Sequence, residues 1–173
     1  MKHYDCTQDV RDHIDKVRYW LRDMVINIEI RAQLHDASKL LEPEKSIFDL
    51  WTPKLKEFEF GSEEYKQALA EMGEALNHHY KNNEHHPEHY AFGVNGMTLV
   101  DLIEMVCDWM AAAQTKNTAV NIDYLADRFD IPDMLKNIIV NTLNDQDIWN
   151  ENQGVPVTYF TPEHYRGNLR GIV

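Results

Sequence analysis

The chain is poor in cysteine, in positive charge, in long apolar runs and in strand-like alternation, and each shortage excludes a class of protein. Its two cysteines, Cys6 and Cys107, lie far apart without Cys-x-x-Cys spacing. Both read as free thiols in a reducing compartment, with Cys107 a small core residue inside an apolar helical run. Seventeen Lys and Arg face twenty-nine Asp and Glu, a formal charge of -12. A protein so acidic does not wrap a nucleic-acid duplex, because that affinity comes from cations neutralising phosphates. Small phosphorylated ligands stay open, since a bound dication reverses the local field whatever the net charge. No run approaches about eighteen uninterrupted apolar residues, and the opening Met-Lys-His-Tyr-Asp has no apolar leader core, so a soluble, cytoplasmic protein without membrane contact is expected.

What is present is helical periodicity. Val10, Ile14, Val17, Leu21, Met24 and Ile28 alternate steps of four and three, which predicts an amphipathic helix from Thr7 to about Ile30, buried along one stripe. Leu34–Leu41 reads as a short second helix ending before Pro43, and Pro43–Leu50 as a third, followed by an irregular aromatic stretch from Trp51 to Phe60. Ser62 is the N-cap of a helix carrying Tyr65, Leu69, Met72 and Leu76 and ending at His78-His79. Thr98 and Asp101 form an N-cap signature for the most apolar helix, Leu99 to about Ala113, with Leu99, Leu102, Val106 and Trp109 or Met110 on its core face. Asp101, Glu104 and Asp108 share a neighbouring face, where like charges repel and a cation brings relief. Two shorter helices open at Asn121 and near Pro132. The expectation is an all-α bundle of six or seven helices over residues 1–143. Residues 144–173 read as an irregular tail, packed on the domain or on a partner subunit in a homo-oligomer, with Val155 to Tyr159 the longest strand-like run.

Chemistry concentrates in the run from His78 to His89, where five of the nine histidines fall within twelve residues. Neutral imidazole is the commonest protein ligand for transition metals, and two His-His pairs at the end of a helix can direct several ring nitrogens into one space. His13 beside the first stripe, the dipeptide His35-Asp36, and Asp108 inside the apolar helix supply further ligands. A hydrolytic metal site needs just such a set on a rigid scaffold with a position left for water.

The order His13, His35-Asp36, His78-His79, Asp108 resembles the HD-domain superfamily of metal-dependent phosphohydrolases. His35-Asp36-Ala37-Ser38-Lys39 resembles the His-Asp-x-x-Lys form of its cyclic-dinucleotide phosphodiesterase branch, and His78-His79 followed by Pro87 resembles that branch's His-His segment ending in proline. The glycine-rich segment of those phosphodiesterases is replaced here by residues 82–86, and Lys39 stands where nucleotidases of the superfamily carry an acid. Residues 60–65, 78–89 and 96–109 also resemble an uncharacterised family of bacterial and bacteriophage proteins, a likeness reaching about Leu143.

The resemblance implies an HD-like helical domain holding one or two divalent transition ions (Mn, Fe, Co, Ni or Zn). His13, His35, Asp36 and Asp108 would hold the first ion. Asp36 would bridge to a second, held by His79 and His86, with His78 and His85 as alternates one position away. The implied reaction is hydrolysis of a small phosphorylated substrate, a nucleotide or related ester, by a metal-activated water. Lys39 would contact a phosphate oxygen beside Asp36, and Glu84 would shuttle a proton. The same scaffold also suits a di-iron oxygenase, or a non-catalytic metal- and nucleotide-binding module.

Overall fold

A computed structural model describes residues 4–59 and 61–145. The secondary structure is helical throughout: α1 (Thr7–Leu34), α2 (Glu44–Glu57), α3 (Glu63–Asn82), α4 (Leu99–Lys116), α5 (Ile122–Phe129) and α6 (Asp133–Asp145), with 3-10 turns at Ala37–Leu40, Pro87–His89 and Gly93–Gly96. No strand occurs among the described residues, so the all-α expectation holds. The chain divides into two units, Met1–Lys136 and Asn137–Val173. Of the expected tail, residues 144–145 belong to α6 rather than to an irregular segment, and residues 146–173, with the run Val155 to Tyr159, lie outside the described residues. No described helix is long and apolar enough to cross a membrane.

Local chemistry sets the helix starts. Ser62 Oγ accepts from the Tyr65 backbone N–H at 3.1 Å, and Asn121 Oδ1 accepts from that of Tyr124 at 3.0 Å. Thr98 and Asp101 make a reciprocal capping box at the head of α4. α3 kinks at Gly73 (φ 48°, ψ -117°), a conformation natural only to glycine. The resulting core centres on Val94, Ala126 and Ile131, with Met97, Trp109, Phe129 and Leu135 packed around it. Trp109 stacks on Phe129 with 6° between the rings.

Four expectations need correction. α2 does not stop at Leu50 but continues to Glu57 through Pro53. Ile47, Trp51, Leu55 and Phe58 keep helical spacing and are all half-buried, so packing outweighs the one lost backbone bond. Leu34–Leu41 is not a separate α-helix: α1 runs on to Leu34, and Asp36 then takes a left-handed conformation (φ 57°) that opens a 3-10 turn. Asp tolerates that conformation better than most residues. On α4 the buried positions are Asp101 and Met105, while Leu99 is exposed and Cys107 is an exposed wall of a cleft rather than core. Finally, the stripe on α1 is not buried: every residue from Tyr4 to Asn27 is exposed.

Candidate metal centre

The end of α1, the turn after it, the end of α3 and the middle of α4 converge on Asp36. Its left-handed backbone turns the chain sharply, so that His35 and Asp36 project into the same space. His35 Nε2 lies 3.6 Å from both Asp36 Oδ2 and Asp108 Oδ1. His79 Nε2 and His85 Nε2 approach Asp36 Oδ1 to 3.3 and 3.6 Å, and His86 Nε2 faces His79 Nε2 at 2.9 Å. Two groups with the spacing of metal ligands result, His35-Asp36-Asp108 and Asp36-His79-His85-His86, in each of which the ligand atoms lie within 4.8 Å of one another. Asp36 belongs to both.

The second ring nitrogens of His35, His79 and His85 face carboxylates. Glu104 Oε1 accepts from His35 Nδ1 at 2.9 Å and stands 3.1 Å from His85 Nδ1. Glu44, wholly enclosed, accepts from His79 Nδ1 at 2.9 Å, His78 Nδ1 at 2.7 Å and Ser38 Oγ at 2.9 Å. A carboxylate behind the Nδ1–H sets the imidazole tautomer and turns the Nε2 lone pair to the front, the arrangement that supports metal-ligating histidines. Glu104 and His35-His85 also meet the spacing of a metal group, but the 2.9 Å hydrogen bond marks Glu104 as a support for the rings. Arg31 steadies Glu104 in turn: its Nε donates to Glu104 Oε2 at 2.6 Å and its Nη2 to Asp101 Oδ1 at 2.6 Å, with Glu84 as its third partner. The repulsion along α4 is therefore relieved by a guanidinium and an imidazole of the chain itself.

Protonation follows the geometry. Burial, reinforced by the Lys39 charge, lowers His79, and burial beside His35 lowers His85. His86, buried against His85 and His79, is pushed down to about 2. These three rings are neutral at pH 7, each with a lone pair to give. His35 is raised to about 9, chiefly by Asp108 and against its burial, with Glu104 and Asp36 adding to the effect. Burial pushes the Asp36 carboxyl up, but Lys39, His35 and His79 outweigh it and hold the group below its usual range.

A divalent ion fits these donors on an observation independent of their identity. Asp36 Oδ1 and His85 Nε2 are buried side-chain atoms without a hydrogen-bond partner among the described residues. Orphaned buried polar atoms are rare, and an ion between them is one of the few arrangements that satisfies both. A cleft of about 270 Å³ opens onto the centre between α1 and α4, with Ile28, Val100, Ile103 and Ala111 on its walls and His35, Glu104 and Asp108 among its polar groups.

Of the residues the sequence singled out, the structure brings together His35, Asp36, His79, His86 and Asp108, and draws in His85, one of the alternates. Two do not join. His13 is exposed on α1, twenty-two residues before His35, about 33 Å along a helix; the stripe beside it points inward only at its far end. His78 turns to Glu44, away from Asp36. Lys39 Nζ pairs with Asp36 Oδ2 at 2.5 Å and lies over the Phe48 ring. Glu84 is paired with Arg31 and half-exposed, not aimed at Asp36. Glu44, Glu104 and Arg31 went unassigned; the only signal was for Glu104, which shares a helix face with Asp101 and Asp108.

The arrangement defines an all-α protein with buried His and carboxylate groups suited to a metal ion. A family of unknown function (DUF5662) matches residues 2–145, and the chain belongs to it. No curated protein and no solved structure matches it.

Proposed function

We propose that the protein is a metal-dependent phosphohydrolase of the HD-domain type, acting on a nucleotide or related phosphate ester. The observation that carries this reading is the sharing of Asp36 between two ligand groups, with one of its oxygens buried and unpartnered. His35, Asp36 and Asp108 would hold one ion, and Asp36, His79, His85 and His86 a second. Divalent transition ions in such a site acidify bound water and draw charge from phosphoryl oxygens. Their identity is open among Mn, Fe, Co, Ni and Zn, because mixed imidazole and carboxylate donors suit all of them.

The chain's own residues supply the rest. Glu44 and Glu104 keep the imidazoles of His35, His79 and His85 in the tautomer that presents Nε2, and Arg31 holds Glu104 in place. Arg31 already has three carboxylate partners, which leaves Lys39 as the cation beside Asp36 to meet a phosphoryl oxygen and balance developing negative charge. The apolar walls of the α1–α4 cleft suit the base or sugar of a nucleotide. Exclusion of water from those walls would favour attack at phosphorus by the one water held at the centre.

The test is a screen of Mn-, Co- and Ni-loaded protein against nucleoside mono-, di- and triphosphates and cyclic dinucleotides, reading release of phosphate or nucleoside. Turnover that needs metal and is lost in Asp36→Ala supports the assignment. Tight binding without turnover would indicate a binding module, and oxygen uptake by an iron-loaded sample an oxygenase; either result overturns the hydrolase reading.

A further inference from the structure

The apolar stripe of α1 has no cover among the described residues. Val10, Ile14, Val17, Leu21 and Met24 are each 41 to 61% exposed, and Trp20 and Val25, flanking the same seam, are each 63% exposed. The seam continues through Ile28, Arg31 and His35, which line the cleft shared with α4. Arg31 meets Asp101 and Glu104, and His35 meets Glu104 and Asp108 one turn further along. The two helices therefore run side by side in the same direction, with Ile28 level with the start of α4. Residues 7–27 extend past that start by about 30 Å at 1.5 Å per residue. An arm of this length with an exposed seam is not stable in water without a partner.

We propose that residues 7–24 of α1 pair antiparallel with the same segment of a second copy of this chain, making the protein a homodimer. Three features select that occupant. The steps of four and three repeat as a heptad, the period that keeps one seam facing one helix of like pitch. Charge along the arm is divided: Asp9, Asp12 and Asp15 against Arg11 in its first half, and Lys16, Arg18 and Arg22 against Asp23 in its second. Antiparallel pairing centred between Asp15 and Lys16 puts each acidic half beside a basic one, with Asp9 near Arg22 of the other copy. Parallel pairing would set like against like. In that register Val10 meets Leu21 and Ile14 meets Val17 across the seam.

The seam's own area approaches that of a stable interface. Six seam and flanking side chains per copy within this segment, at about 60–120 Å² each as implied by about 25 cal/mol/Å², give on the order of 1,000 Å² in the pair. Backbone and charged flanks add to this, and stable interfaces begin at about 1,200 Å².

The test uses the full chain. Light scattering at micromolar concentration is expected to give twice the 20.3 kDa of one chain, and Leu21→Glu to give a monomer whose circular dichroism loses no more than the arm's share of the helicity. Pairing direction is read in a Cys6→Ser, Cys107→Ser background. Val10→Cys mixed with Leu21→Cys should form a mixed disulfide under mild oxidation, because the Cα atoms come within about 7 Å, while neither variant alone should cross-link. A monomeric wild-type chain overturns the proposal. So does self-cross-linking of each single variant, the mark of a parallel pair, or a Leu21→Glu protein that remains dimeric.

Discussion

Glu104 Oε1 accepts a hydrogen bond from His35 Nδ1 at 2.9 Å, across 69 residues of sequence. One carboxylate oxygen thereby sets the ring that faces Asp36 and Asp108, and the same oxygen stands beside His85 Nδ1. Glu104 supports both ligand groups without belonging to the front of either.

Glu104→Gln keeps the shape but replaces an acceptor oxygen with a donor, or weakens the one that remains. Outer carboxylates of this kind affect metal affinity about 10- to 100-fold. We expect Mn or Co affinity, measured by competition with a fluorescent chelator, to fall within that range while the thermal midpoint changes little. An unaltered affinity would mean that the rings are held by other groups.

Glu44 is the second such support, and it is fully enclosed. Glu44→Ala removes the acceptor for Ser38, His78 and His79 at once. Breaking a buried charged network from one side costs about 3–5 kcal/mol. For a chain of this size each kcal/mol shifts the midpoint by about 2–4 °C. Scanning calorimetry should therefore place the variant roughly 6–20 °C below wild type; a shift of a degree or less would remove Glu44 from the framework.

Asp101 gives the fold an acid limit. Burial alone would raise its carboxyl, but the Thr98 backbone, the Tyr90 and Thr98 hydroxyls and Arg31 together hold it below 3.8. A group depressed in the folded state contributes stability above its unfolded pKa and loses it as pH falls through the folded one. Asp101→Asn should cost about 1.5–3 kcal/mol at pH 7. The gap to wild type in urea denaturation should narrow as pH drops below about 4. A gap that is constant with pH would contradict the ionised role.

Two glycines with positive φ differ in their surroundings. A Cβ at Gly61 would lie 2.7 to 2.9 Å from the Tyr124 ring, whereas one at Gly73 would meet nothing within 4 Å. Gly73→Ala should cost about 1–3 kcal/mol, the penalty for placing a side chain in a backbone region natural only to glycine. Gly61→Ala should cost about 1–3 kcal/mol more for overpacking. Equal costs in chemical denaturation would argue against the contact with Tyr124.

The sequence displayed the helices and half of the centre, because those depend on local pattern. Ser62, Thr98 and Asn121 announced their helices by side chains that bond three residues ahead. His35-Asp36 and the His78 to His89 run were visible by density alone. Glu44 was not, because its role depends on α2 lying against the end of α3, a long-range relation without periodic trace. Arg31 was hidden for a similar reason: the cation that relieves the acidic face of α4 comes from 70 residues away. The α1 stripe was read as buried because amphipathicity reports that a face needs a cover, not which chain supplies it.

The most direct test of the metal centre is elemental analysis of the tag-free protein after loading with Mn and desalting, beside Asp36→Ala treated alike. One to two ions per chain are expected in the wild type and a sharp loss in the variant, since Asp36 is common to both ligand groups. A wild type that retains no ion, or a variant that retains as many, would contradict it.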